Sequence, residues 1–395
     1  MILGAHRAAR PRRALLASLF VALSLVAAPA SSQSALAQRL ERGWSASLAA
    51  DTNPRRLSTG AAGGMVPLLG VQGWGRWTWA AERDLLQLSA RAGAKLHPSV
   101  PAEDLLAGAL SLRWTHALGP GLRSAYLFRW DEGEQRGDAL EAVARDPLLQ
   151  CAPPVGKVWF GYRCNRRDHR RLELSASLDL ALGRDLVFRA SAALESFTYK
   201  ADDAFSFGGP AAHAALAWRP AVGHQLSLSA RTGARIYHPV ARTYRRLPDG
   251  SLGAGEAPRR LETLLEGQLR YGFEGPALAS ATLGVSRTLN NSAALDALRL
   301  DLGGELALPL GPRGALVLAG GLSFAAYPDG YALNSWYDLG DGRDEALSHL
   351  GLRYTQALGG GHRLALELRR YGAELSSGAP PFDRLLFTVG VEAGP

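Results

Sequence analysis

The feature that most narrows what this chain can fold into is a period-two alternation of apolar and polar side chains, recurring along nearly its whole length. Residues 84–96 place Leu86, Leu88, Ala90, Ala92, Ala94 and Leu96 on one parity and Gln87, Ser89, Arg91, Gly93 and Lys95 on the other. Residues 172–182 repeat the pattern, with Leu172, Leu174, Ala176, Leu178, Leu180 and Leu182 opposing Glu173, Ser175, Ser177 and Asp179. On a helix these polar residues would spread round the whole circumference; on a strand they share one face. Ala and Leu are poor strand formers, so propensity opposes pattern. Pattern prevails, because a sheet with lipid on one face and water on the other requires alternation.

The same test along the chain gives strands near 42–50, 70–80, 84–96, 104–116, 121–130, 171–182, 185–199, 207–219, 223–237, 259–273, 276–289, 295–309, 314–327, 343–357, 361–372 and 382–392. The connections are asymmetric. Those after even-numbered strands are short and turn-like, whereas the large ones, 51–69, 131–170, 238–258 and 328–342, follow odd-numbered strands. An even strand count with short turns on one side and long loops on the other predicts an all-β fold, a transmembrane antiparallel up-and-down barrel of about sixteen strands. A hairpin at Lys157–Tyr162 would raise the count to eighteen. Aromatics give an independent check: Trp77, Trp79, Trp114, Trp218, Tyr271, Phe273 and Tyr354 sit at the ends of even-numbered strands, on the parity of their Leu and Ala residues. Amphipathic rings prefer a membrane interface, so these form the expected periplasmic girdle. Both barrel termini then lie in the periplasm. A soluble sandwich or propeller also alternates, but predicts neither the loop asymmetry nor the girdle.

The first 37 residues read as an export leader. Arg7, Arg10, Arg12 and Arg13 precede an apolar run from Ala14 to Ala28, and small residues at Ala28-Pro29-Ala30 and Ala35-Leu36-Ala37 offer cleavage at 30/31 or 37/38. The barrel then occupies 38–395. Among 395 residues, 47% are hydrophobic and 20% charged, which excludes bulk disorder. The net charge of +8 falls by four once the leader is removed, so basicity is no argument for nucleic acid as a partner. The expected surroundings are outer-membrane lipid and lipopolysaccharide, reached through the barrel-insertion machinery.

With sixteen strands and its longest loop, 131–170, between strands 5 and 6, the mature chain resembles the general porins of the Gram-negative outer membrane. In that family the corresponding loop folds into the lumen and narrows it. Residues Gly137–Arg145 form a candidate short helix there, stopped by Asp146-Pro147. The opening Trp44–Pro54 stretch bears a fainter likeness to the first strand of polysaccharide-export barrels.

Function in such a barrel belongs to the lumen. The polar parity supplies Arg91, Lys95, Arg113, Arg129, Arg189, Arg231, Arg235, Arg270, Arg299, Arg353, Arg363 and Arg369. Against them stand Glu173, Asp179, Glu195, Glu262, Glu266, Asp301, Glu305 and Glu367. A lumen that leans basic concentrates anions. Cys151 and Cys164, in the long loop of an exported chain, are placed to form a disulfide that restricts it. Arg163, Arg166, Arg167, His169, Arg170 and Arg171 follow as a rim cluster suited to phosphates or anionic solutes. The nine histidines form no catalytic spacing with Ser or Asp, so no enzyme is expected. No cofactor or metal is expected either: Asp329, Asp338, Asp341 and Asp344 share one loop without a regular ligand spacing. The reading is a porin-like channel for small hydrophilic, anion-leaning solutes. Its alternatives are a polysaccharide-export conduit working with a separate periplasmic partner, and a receptor, assembly or adhesion barrel plugged by its long loop.

Overall fold

The computed structural model describes residues 37–52, 65–99, 104–136, 169–199, 206–239, 243–249, 252–292, 296–326, 348–372 and 383–394. They form β1 (Ala37–Asp51), β2 (Val66–Ala80), β3 (Asp84–Leu96), β4 (Asp104–Gly119), β5 (Leu122–Arg136), β6 (His169–Ala181), β7 (Leu186–Tyr199), β8 (Phe207–Trp218) and β9 (His224–Tyr237). A small hairpin of β10 (Tyr244–Arg246) and β11 (Leu252–Ala254) follows. Then come β12 (Leu261–Glu274), β13 (Leu278–Asn290), β14 (Ala297–Leu310), β15 (Gly314–Ala326), β16 (His349–Gly359), β17 (His362–Gly372) and β18 (Asp383–Ala393).

Sixteen strands, all but β10 and β11, close into one antiparallel up-and-down barrel, β9 pairing with β12 and β1 with β18. This is the architecture that the porin resemblance implied. The barrel strands are 11–16 residues long, enough to cross a bilayer at a tilt. Seven connections are short, spanning residues 81–83, 120–121, 182–185, 219–223, 275–277, 311–313 and 360–361. All lie at one rim, the short-turn rim; the other is the long-loop rim. Glycine makes such tight returns feasible. Gly223 has φ 79°, and a Cβ on it would stand 2.3 Å from the Glu274 carbonyl oxygen.

Ion pairs reveal which parity points inward. Arg91 of β3 meets Asp131 of β5 at 3.6 Å, Arg231 of β9 meets Glu195 of β7 at 2.6 Å, and Arg353 of β16 meets Glu392 of β18. Each pair skips a strand. Side chains two strands apart converge only on the concave face of a barrel, so the charged parity is internal. The convex face carries exposed Leu48, Val71, Leu112, Leu174, Leu194, Leu228, Val285, Leu318, Leu350 and Phe387.

Four details depart from the sequence reading. β5 runs on to Arg136 and β6 starts at His169, so the connection between them is 137–168 rather than 131–170. Alternation persists there, with Asp131 and Arg171 paired in register on the concave face. An eighteen-stranded wall is ruled out, because β5 pairs β6 directly from Leu122 to Gly133 and leaves no place for another hairpin. The connection 238–258, read as a plain loop, holds the β10–β11 hairpin. Ala37, counted with the leader, is the first residue of β1 and pairs with Ala80. Residues 1–36, Gly137–Arg145, Lys157–Tyr162, Cys151, Cys164, the arginines 163, 166 and 167, and the four loop aspartates at 329–344 lie outside the described residues.

Candidate functional site

The concave face is the candidate site. Every cation and carboxylate named above from the polar parity of the strands stands on it. Charge is distributed unevenly around it. From β2 to β9, ten inward cations (Arg76, Arg91, Lys95, Arg113, Arg123, Arg129, Arg171, Arg189, Arg231, Arg235) face four carboxylates, Asp131, Glu173, Asp179 and Glu195. From β12 to β16, three cations (Arg270, Arg299, Arg353) face five carboxylates, Glu262, Glu266, Glu274, Asp301 and Glu305. One wall is therefore strongly basic and the opposite wall mildly acidic.

At the long-loop rim the charges are packed together. Arg235 holds Glu262 at 2.7 Å, and the Tyr237 hydroxyl donates to the same carboxylate at 3.0 Å. The Arg260 guanidinium lies 3.5 Å over the Tyr237 ring and that of Arg235 4.8 Å over Phe207. His169, Phe197, Phe207 and Tyr237 follow one another across β6–β9 with centroids 5.2–5.4 Å apart. Glu262 is 1% exposed, so its charge needs these partners. A second cluster stands almost diametrically opposite, on β16, β17, β18 and β1. There Arg384 grips Asp51, which is 0% exposed, through contacts of 2.7–3.1 Å across the barrel's closing seam. Tyr371, flanked by Arg384, Arg369 and His349, is buried beside it.

Towards the short-turn rim pairing is sparser. Arg189 binds Asp179 through two 2.6 Å hydrogen bonds. Among the described residues there, Arg113, Arg123, Arg270, Arg363 and Glu305 make no ion pair; Asp301, further from this rim, and Lys95, at the long-loop end of β3, make none either. The other named groups are drawn into the wall: Arg129 binds Asp131 at 2.6 Å, Arg231 binds Glu195 and Glu266, and Arg369 binds Glu367.

The aromatic residues Trp77, Trp79, Trp114, Trp218, Tyr271, Phe273 and Tyr354 stand on the convex face near the short-turn rim. Three of them have their polar atoms bonded locally: Trp114 Nε1 donates to Asp84 at 2.8 Å, Tyr271 Oη lies 2.7 Å from His224 Nδ1, and Tyr354 Oη donates to Gln356 at 3.0 Å. Such rings combine an apolar body with a bonded polar tip.

Sequence reasoning passed over several inward residues. Asp51, Tyr237 and Tyr371 sit at strand ends where parity was not carried to the last residue. Arg123 was lost in a turn-proximal position one residue into β5. Trp74 points inward against Gly43, whose missing side chain leaves room for the indole; the Gly43–Trp74 pairing was the available signal. No group of three or more metal-ligating side chains occurs among the described residues.

No protein-family model matches the sequence, and no curated protein matches it. Solved structures are similar over most of the chain. The outer-membrane expressed OmpT of Vibrio cholerae is 8% identical with a TM-score of 0.46, covering 92% of this chain and 99% of that one. OprB of Pseudomonas putida, in its high-pH structure, is 8% identical with a TM-score of 0.48, covering 91% and 94%. A bacterial polysaccharide outer membrane secretin is 9% identical with a TM-score of 0.41, covering 89% and 97%. The class defined by the fold itself is a closed sixteen-stranded up-and-down barrel with an ionic interior and an apolar exterior.

Proposed function

We propose that the protein is an outer-membrane channel for small hydrophilic solutes with a preference for anions. The observation that carries this reading is the contrast between the two faces of one closed wall. An apolar surface of this extent on a water-soluble protein would drive association, whereas in a bilayer it is the ordinary exterior of a barrel. Inside, the polar parity of a sixteen-stranded wall suits a water-filled passage, and the basic β2–β9 arc supports anion preference. The aromatic belt supports placing the short-turn rim at the periplasmic interface, with both termini on that side. The leader-like first residues support export to that membrane.

Planar-bilayer recording tests the reading. The refolded mature chain should give stable conductance under a KCl gradient, with a reversal potential displaced towards chloride. Recording with and without reductant then asks whether a Cys151–Cys164 bond shapes the passage. A folded, inserted barrel that conducts in neither redox state would overturn the channel assignment.

A further inference from the structure

The wall of β4–β7 nearest the short-turn rim combines guanidinium groups that have no hydrogen-bond or ion-pair partner among the described residues with small side chains beside them. Asp179, on β6, spends both carboxylate oxygens on Arg189 of β7. Arg123 stands directly opposite Asp179 in the β5–β6 register, and Arg113 of β4 faces the same lumen two inward rows further from the short-turn rim. Yet neither Arg113 nor Arg123 makes a hydrogen bond or ion pair among the described residues, and both are exposed to the lumen. Three cations thus share this stretch of wall with one carboxylate, which leaves two positive charges and their N–H donors uncommitted among the described residues.

Most of the neighbouring inward positions are small, although Leu127 stands directly opposite Arg113 in the β4–β5 register. Ala125, Ser177 and Ser191 lie in one cross-strand row, with Ser175 and Ala193 in the next. Among the described residues, the row between the two guanidinium groups on β5–β7 carries only Ala125, Ser177 and Ser191, whose hydroxyls add donors beside them. The next carboxylate along β7, Glu195, is occupied by Arg231 and Arg171. Forked N–H donors on an uncrowded wall, with hydroxyls beside them, are the chemistry that recognises a tetrahedral oxyanion.

We propose that Arg113 and Arg123, with Ser177 and Ser191, form a subsite for the phosphate group of permeating solutes, the Arg189–Asp179 pair serving as its fixed support. This rests on the channel reading and names the solute class within it. A phosphate would dwell between the two arginines and leave by exchange with water, since neither is locked by a partner among the described residues.

The test uses the full mature barrel, wild type and Arg113→Ser/Arg123→Ser, with folding checked by heat-modifiable gel migration. Inorganic phosphate at pH 8, added to chloride-filled channels, should reduce chloride conductance saturably in the wild type. In the double variant the block should weaken about tenfold or more while channel opening persists, because two charge-assisted donors are gone. Acetate at equal concentration should block far less in either protein. Unchanged phosphate block in a folded, conducting double variant overturns the subsite and leaves the channel intact. If neither protein conducts, the channel reading fails. Phosphorus NMR line broadening by the folded barrel in detergent then decides separately: broadening in the wild type that the double substitution abolishes supports the subsite, and equal spectra overturn it.

Discussion

The two ends of the barrel interior use the same residue types on the same parity to opposite ends. At the long-loop rim, Asp51 and Glu262 are fully covered and each is held by an arginine beside a buried tyrosine. At the short-turn rim, Asp179 keeps a partly exposed carboxylate and is surrounded by more arginine than it can bind. The difference lies in the neighbours. Phe197, Phe207, Tyr237 and Tyr371 exclude water, and a charge without water must be paired. Ala125, Ser177 and Ser191 exclude nothing, so a guanidinium there remains solvated and available. Arginine in a barrel wall is thus architecture or binding surface according to the bulk of the residues beside it.

The comparison breaks most readily at the closing seam. Asp51→Ala leaves Arg384, only 11% exposed, without the carboxylate that satisfies it between the first and last strands. Removing one partner of a buried pair costs about 3–5 kcal/mol. The temperature at which the folded barrel loses its compact migration in detergent gels should therefore fall sharply. Glu262→Ala should do the same on the opposite wall by removing the carboxylate that Arg235 and the Tyr237 hydroxyl both hold. If both variants melt with the wild type, the long-loop clusters are not structural and the contrast between the two ends collapses.

A smaller effect is expected where the wall itself is tight. Pro210 lacks an N–H, and the β8–β9 register is interrupted around Gly209 and Pro210. A Cβ on Gly209 would stand 1.8 Å from the Ala234 carbonyl oxygen. Gly209→Ala must push the two strands apart, at a cost of about 1–3 kcal/mol. Gly267, where a Cβ meets nothing within 4 Å, is the matched control, and Gly267→Ala should be nearly silent. Equal melting of the two variants would show that this part of the wall yields freely.

Much of this was legible in the sequence, for a definite reason. A wall with unlike surroundings on its two faces imposes a period of two, and a one-residue slip would turn every side chain the wrong way. All sixteen barrel strands were readable on that basis, β3 to the residue. Pairing between distant strands was not. Asp51 and Arg384 are 333 positions apart, and nothing local marks them as partners. Alternation also fails for short elements. The three-residue strands Tyr244–Arg246 and Leu252–Ala254 offer too few positions to show a period. Whether an arginine is bound or unbound depends on neighbours across the sheet, and parity is silent on that.

The gentlest test sets Asp179 against Asp51, since both carboxylates receive two or more hydrogen bonds from one arginine. Side chains of the Asp179–Arg189 pair are 25% and 49% exposed, against 0% and 11% for Asp51–Arg384. Water competes for the exposed pair and screens it, so Asp179→Asn should cost no more than about 1 kcal/mol. The functional consequence should run the other way. Removing the one carboxylate releases Arg189 beside Arg113 and Arg123, so phosphate block should tighten and the reversal potential should move further towards chloride. A variant that instead melted as early as Asp51→Ala would make both ends of the interior architectural. One that kept wild-type stability but showed unchanged phosphate block would confine the free cations to Arg113 and Arg123, with Arg189 held in place by something other than Asp179.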